Sequence, residues 1–321
     1  MDYLEILQCP ASGQALIASE SGGLITADGS HEYPVVDDIP VLLDSSGSLF
    51  AGVMDRARTK GTTGSGSKIG WIWNLMPSPT LSVGQAERFG QMIDLILGAD
   101  ATRNEKPKLL VIGGGAPGSG MEHLLSSDRI ERIETDVYFG PQVGLVCDAH
   151  QLPFRDGSID AVVIQAVLEH VLSPETVVAE IHRVLKPDGI VYAETPFMQQ
   201  VHEGAYDFTR FTELGQRRLF RGFSELGRGV VCGPATALVW SFRYFARSLP
   251  RRSSRAIGVL GILAVLLTFW IKYLDLFLVD HRAASDGAAG TWFMGRKLDS
   301  PVPDDEIVAT YRGAINPVKG R

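Results

Sequence analysis

The 321-residue chain carries 37 acidic against 30 basic side chains, a formal net charge of −7, with 45% hydrophobic and 21% charged residues. That composition excludes a disordered tail and suffices for a full α/β core with one or two small additions; the acidic balance argues against a protein devoted to a phosphate backbone, so no nucleic-acid partner is expected. Cys9, Cys147 and Cys232 are too scattered for a disulfide framework, and MDYLEILQCP lacks the basic-then-apolar plan of a secretory signal, so a reducing, cytoplasmic setting is expected.

Residues 1–46 read as a small β-rich module: LEIL, GLIT, a turn at ADGS, then HEYPVVDDIPVLL with Pro34 and Pro40 punctuating short apolar runs. A flexible Gly/Ser/Thr-rich linker is expected over 47–69, ending in GTTGSGSK. The segment 70–105 contains GQAERFGQMIDLIL, whose Phe89, Met92, Ile93, Ile96 and Leu97 fall at helical spacing. The block 106–235 then alternates: strand KLLVI, helix GSGMEHLLSS, strands RIETDV, VGLVC and DAVVIQ, helix SPETVVAEIHRVL, strand GIVYAET. Continuous apolar strands between amphipathic helices predict a doubly wound, mostly parallel sheet covered on both faces. Ser173 is placed as the N-cap of the second helix, with Pro174 in its first turn and Val177, Val178, Ile181, Val184 and Leu185 as its apolar stripe. Residues 236–289 read as a basic and apolar helical insertion, and 290–321 as a last strand, TWFMGRK, with a C-terminal tail.

Within LLVIGGGAPGSGM, Gly113, Gly115 and Gly118 have G-x-G-x-x-G spacing between a strand and a helix. A phosphate-binding P-loop is rejected, because Met121 stands where its lysine belongs. A dinucleotide or another adenosine-containing cofactor is left, and either wants a carboxylate at the end of the second strand for the ribose hydroxyls; Asp136 is placed for that task.

The stretch CDAHQLPFRDGSIDAVVIQAVLEHVLSPETVVAEIHRVLKPDGIVYAETPF resembles class I S-adenosylmethionine-dependent methyltransferases of the methyltransferase-11 type, a likeness extending over about 106–222. The resemblance implies a Rossmann-like sheet of seven strands and S-adenosyl-L-methionine as cofactor. It assigns cofactor contacts to Gly113, Gly115, Gly118, Asp136, Asp148, Ala149 and Gln165. One departure is Val111, where the family usually has an acid before the loop; backbone carbonyls are the expected substitute. QAVLEH stands where amino-group methylases of planar bases carry N/D-P-P-Y/F. The segment TPFMQQVHEGAYDFTRFTELGQRRLF resembles a bacterial subset associated with cell-surface glycans, which implies a small-molecule or glycan-type acceptor, free or lipid-linked, methylated at oxygen. His202 or Asp207 is then the expected base, with a solvated Asp207–Arg210 pair as the competing reading, and His170 is read as structural. The alternatives are a nicotinamide oxidoreductase using the same loop and a silent cofactor-binding or partner-docking module.

LEILQCPASGQAL with LITADGSHEYPVVDDIPVLL resembles the small zinc-binding domain that also serves as an activator subunit of tRNA and translation-factor methyltransferases. Ser12 and Thr26 stand where thiolates would be, so no metal is expected, here or elsewhere. Finally, AIGVLGILAVLLTFWI at 256–271 is uncharged, extensible to Val279 past Lys272 and Asp275, and follows ten arginines against two acids over 210–255. It is short for a span; the readings are peripheral contact with an anionic membrane at its inner face, burial in the insertion, or a homodimer interface.

Overall fold

The structure, a computed structural model, describes residues 4–44, 77–98, 105–115, 118, 120–121, 124, 127–251 and 253–314. The expected linker, WIWNLM of the lead-in segment, much of the helix GSGMEHLLSS and the end of the tail lie outside them.

The N-terminal residues form three short strands, β1 (Leu16–Ala18), β2 (Leu24–Thr26) and β3 (Glu32–Tyr33), paired antiparallel in that order. A hairpin follows, β4 (Val35–Val36) and β5 (Ile39–Leu42), turned by Asp37 and Asp38 with φ of 51° and 63°. Short polar side chains tolerate this left-handed geometry, which matches strand twist in a two-residue hairpin.

Helix α1 (Gln85–Gly98) leads into the core strands β6 (Lys108–Ile112), β7 (Glu131–Asp136), β8 (Leu145–Cys147) and β9 (Ile159–Gln165). Helix α2 (Pro174–Val184) and strand β10 (Leu185–Pro196) follow, then α3 (Glu213–Leu219) and β11 (Phe223–Cys232). The chain continues through α4 (Pro234–Ser248), α5 (Ser254–Thr268), a 3-10 turn Phe269–Leu274, α6 (Asp275–Leu278) and α7 (Ala284–Gly287), and closes with β12 (Gly290–Lys297) and α8 (Asp304–Ala309). The large sheet has the order β11-β12-β10-β9-β6-β7-β8-β5-β4. Seven of these strands form the expected Rossmann-like sheet, parallel from β8 to β10, with β12 antiparallel between β10 and β11.

Period-two alternation divides the apolar residues between two layers. Leu109, Val111, Ala161 and Val163 face α1 and its Phe89, Met92 and Ile96. Leu110, Ile112, Val162 and Ile164 face α2, where Val177, Val178, Ile181 and Val184 lie. Ser173 is the N-cap of α2, but its hydroxyl bonds the Thr176 hydroxyl at 2.8 Å and leaves the backbone uncapped by a side chain.

The described residues of the N-terminal module are joined to the core sheet. β5 pairs parallel with β8, Gln8 donates to the Pro153 carbonyl, and Leu7, Cys9, Leu16, Leu24, Tyr33 and Leu42 share one core with Leu145, Leu152 and Phe154. The physical reason is that a β-sheet edge with a matching apolar hairpin nearby is better paired than left open. Within the module the Cys9 thiol lies 3.2 Å from the Tyr33 hydroxyl, and Thr26 bonds Asp28 at 2.8 Å.

The helical insertion is an antiparallel pair, α4 against α5, with Ser253 accepting the Ala256 N–H to cap α5. Burial of the apolar helix within this chain is not what the structure has: among the described residues of α5, Gly261 and Val265 are buried, while Leu263, Leu266 and Leu267 are exposed. Lys272 and Asp275, which interrupt the apolar run in sequence, are its anchors. Lys272 donates to the Ser78 carbonyl at 2.7 Å, and Asp275 accepts from Ala235 and Thr236 at 2.9 and 2.8 Å, capping the N-terminus of α4.

Candidate active site

Strand ends of the parallel region open onto one cavity of about 560 Å³. One wall is the turn after β6. Gly113, at φ +82°, and Gly114 both donate to the Thr135 carbonyl at 2.9 Å, which folds the loop over the end of β7. Gly115 donates to Asp136 Oδ2 at 2.9 Å, and Tyr138 to Oδ1 at 3.0 Å. Burial pushes the Asp136 carboxyl up, opposed by the backbone N–H groups of Tyr138, Gly115 and Val137. A Cβ at Gly113 would meet Val167 at 2.3 Å, at Gly115 the Asp136 carboxylate at 2.6 Å, and at Gly118 the Gln165 side chain at 2.0 Å. These glycines therefore admit the chain's own side chains as well as any ligand.

Asp148 and Ala149 line the same cavity from beyond β8. Asp148 Oδ1 lies 2.7 Å from His150 Nδ1, and His150 Nε2 accepts the Ser173 N–H, so Nδ1 carries the hydrogen and donates to Asp148. Gln165, at the end of β9, has a buried Oε1 without a hydrogen-bond partner among the described residues. Gly118 sits apart from the main cavity, on a smaller gap shared with Gln165 and Glu134. Glu134 is a carboxylate the sequence reading missed: it comes from β7, its oxygen lies 2.5 Å from where a Cβ on Gly114 would be, and burial pushes it up to about 7 against the charge of Arg132.

The opposite wall holds His170, His202, Glu203 and Tyr206. The two imidazoles meet edge to face, 4.9 Å between centroids, with Nε2 atoms 3.2 Å apart. His170 donates from Nδ1 to the Tyr206 carbonyl at 2.6 Å, a backbone-satisfying contact as expected, while also lining the cavity. Burial lowers the His170 pKa, as does His202, against the Tyr206 carbonyl and the charges of Asp207 and Glu203.

Asp207 stands behind His202 rather than on the cavity wall, and its pair with Arg210 is half-buried: the Asp207 carboxylate is shielded while Arg210 remains partly exposed. Its oxygens accept from Arg210 and from the His202 backbone N–H, the latter at 2.8 Å, and its side chain is 1% exposed. Burial acts to raise its carboxyl, but the Arg210 hydrogen bond, the His202 N–H and both neighbouring charges hold it well below the usual carboxylate range. A carboxylate so committed positions His202 and is a poor proton acceptor. Arg210 also donates to the carbonyls of Gln199, Gln200 and Thr209, pinning the loop. Glu169, also missed from sequence, is fully buried, with Oε1 3.6 Å from His170 Nε2 and 3.7 Å from His202 Nε2.

Residues 125–193 match the family model described as "Methyltransferase domain". That match runs from β7 into β10 and supports a class I S-adenosylmethionine-dependent methyltransferase domain in this part of the chain. Among curated relatives, the ubiquinone/menaquinone biosynthesis C-methyltransferase UbiE of Desulfotalea psychrophila is 32% identical over 104 residues, 31% of this chain and 39% of that protein. An uncharacterised chloroplastic methyltransferase of Arabidopsis thaliana is 38% identical over 74 residues, 23% of this chain and 20% of its own. The chain thus spans less than half the length of either relative. Among solved structures, a putative sarcosine dimethylglycine methyltransferase from Galdieria sulphuraria aligns with 76% of this chain and 99% of its own, at 15% identity and a TM-score of 0.41.

Proposed function

We propose that the chain binds S-adenosylmethionine in this cavity and directs its methyl group to a hydroxyl of a small-molecule or glycan-type acceptor presented at a membrane surface. The observation that carries the reading is the convergence of Gly113, Gly115, Asp136, Asp148, Ala149 and Gln165 on the cavity that His170 and His202 also line. The cofactor suits the polar atoms present: Gln165 Oε1 is a buried acceptor with no donor among the described residues, and Asp136 has lone-pair capacity beyond its backbone donors for ribose hydroxyls. Glu134, beneath the loop, offers the carboxylate absent at Val111.

When bound, S-adenosylmethionine supplies an electrophilic methyl on a sulfonium, displaced in line. The chain's own part is alignment of acceptor and methyl, plus handling of the acceptor proton. That proton is handled at the basic cluster of His202, His170 and Glu169, with Asp207 fixing His202. Two imidazoles at the cavity wall, and the absence of an N/D-P-P-Y/F motif after β9, favour oxygen over an amino group.

Membrane presentation is supported by the α4–α5 pair. Leu263, Leu267, Trp270 and Phe277 are exposed, as are Phe242, Phe245 and Leu249 of α4 and its following turn. Ser254–Leu278 is long and apolar enough for a span by composition. Arg251 and Arg255 are exposed at the turn between the helices, and Arg243 lies 5.2 Å over the Trp240 ring. Apolar side chains flanked by arginines suit a surface of anionic lipid.

Calorimetry with S-adenosylmethionine and with NAD, followed by transfer of a radiolabelled methyl group to fractionated lysate, tests the function. The expected result is binding of S-adenosylmethionine alone and label in a glycan- or lipid-containing fraction. NAD binding would mark an oxidoreductase, and cofactor binding without label transfer a silent docking module.

A further inference from the structure

Three electron-rich atoms from two separate segments meet at the acceptor end of the cavity. His170 and Glu169 come from the turn after β9, and His202 from the loop after β10. Their ligand atoms lie within 4.8 Å of one another, with edges of 3.2 Å between the two Nε2 atoms and 3.6 and 3.7 Å from these to Glu169 Oε1. Ligands about 2.0–2.2 Å from a tetrahedral ion stand roughly 3.3–3.6 Å apart, so the triangle is close to the size a zinc-class ion requires.

The outer hydrogen bonds orient these atoms. His170 Nδ1 faces the Tyr206 carbonyl at 2.6 Å; His202 Nδ1 faces the Gln200 carbonyl at 3.3 Å and Asp207 Oδ2 at 3.5 Å. Carbonyls and carboxylates of this kind accept, so in the neutral rings both Nδ1 atoms carry the hydrogen and both Nε2 lone pairs turn toward each other. This is how backbone acceptors commonly orient metal-binding histidines. Neither Glu169 oxygen has a hydrogen-bond partner among the described residues, although the side chain is fully buried, and nearby Arg210 is engaged by Asp207 and three carbonyls. Three converging acceptors without a donor need positive charge between them.

We infer that Glu169, His170 and His202 form a divalent-metal site of the two-histidine, one-carboxylate kind, with its open coordination position toward the cavity. Two imidazoles select zinc, manganese, iron or cobalt over magnesium and calcium, which prefer oxygen ligands. The inference departs from the sequence reading, in which no metal was expected.

Its catalytic consequence, unlike metal binding itself, rests on the methyl-transfer reading. An acceptor hydroxyl at the open position is acidified by the ion, and its proton passes to solvent water. The oxygen forms its bond to the methyl carbon as the carbon–sulfur bond breaks, and that electron pair stays on sulfur as neutral S-adenosylhomocysteine. His202 is then a ligand rather than the base.

The test uses tag-free, full-length protein stripped with a chelator and dialysed, titrated calorimetrically with Zn²⁺ and with Mn²⁺. One ion per chain is expected, with affinity at least tenfold weaker in His170→Ala, His202→Ala and Glu169→Gln, and unchanged in His31→Ala, a control at a half-buried histidine of the N-terminal module. Co²⁺ loading of the wild type should give visible absorption bands that His202→Ala lacks. Circular dichroism and S-adenosylmethionine titration of each variant establish that it is folded. No ion bound by the wild type, or equal affinity in folded His170→Ala and His202→Ala, overturns the site and leaves a shared proton between the rings. Failure of S-adenosylmethionine to bind the wild type would strike the proposed function instead, and metal titration would still decide the site.

Discussion

The sheet core and the α4–α5 pair solve opposite problems. In the core, β6 and β9 bury Leu109 to Ile112 and Ala161 to Ile164 completely or nearly so. In the helical pair the pattern inverts: Leu267 and Phe277 are 73% and 75% exposed, while Lys272 and Asp275 are 7% and 0% exposed. The charges inside are satisfied, by carbonyls of Ser78 and Thr80 and by the N-terminus of α4, so the inversion is built in rather than a packing fault. An exposed apolar face of this kind is what the proposed membrane contact rests on.

Flotation with liposomes gives the sharpest break in that comparison. The wild type should rise with vesicles containing anionic lipid at low salt, rise less at high ionic strength, and stay in solution when Leu263 and Leu267 are both replaced by Asp. Dimerisation of a wild type that never floats would instead give the exposed face to a second copy.

The core makes a smaller, graded prediction. Asp136→Ala should weaken S-adenosylmethionine binding by about 1.5–3 kcal/mol, the range for losing hydrogen bonds to a charged group, as read by calorimetry. Equal affinity in a folded variant would remove Asp136 from the cofactor site.

A pH effect at Glu134 is spread over several pH units. Its folded pKa of about 7 lies above the ordinary 4.5 because burial disfavours the carboxylate. Between those values the native state keeps a proton that the unfolded state has lost, so this group's contribution to stability falls as pH rises from about 4.5 to 7, by at most about 1.4 kcal/mol per pH unit. Urea denaturation of Glu134→Gln should show a flatter pH profile than the wild type over that interval. Parallel profiles would mean that Glu134 is ionised in the fold.

What was legible in the chain was local. The apolar runs of β6 and β9, the stripe of α2, the glycine turn and Asp136 ending β7 follow from spacing, whereas the cavity-lining places of Asp148, Ala149 and Gln165 came from the family resemblance. Pairing across distance was not legible. β11 is hidden by Gly227 and Gly229, which look like turn residues until Trp292 of β12 is seen against them, with a Cβ on Gly227 only 2.8 Å from its ring. Glu169 has no meaning without His202, which arrives 32 residues after His170. Arg210 and Asp207 read as a solvated pair because burial by a loop's own carbonyls leaves no local signature. Lys272 and Asp275 looked like breaks in an apolar helix for the same reason.

The joining of β5 to β8 has a consequence for the order in which the chain is made. An apolar hairpin, Val35 to Leu42, leaves the ribosome about a hundred residues before Leu145–Cys147, the strand it must meet. At translation rates of about 5–20 residues per second, it waits on the order of 5–20 s with an open edge. The two ends of that contact are expected to close late in folding, since distant strand pairs pay their loop entropy before they gain any stability.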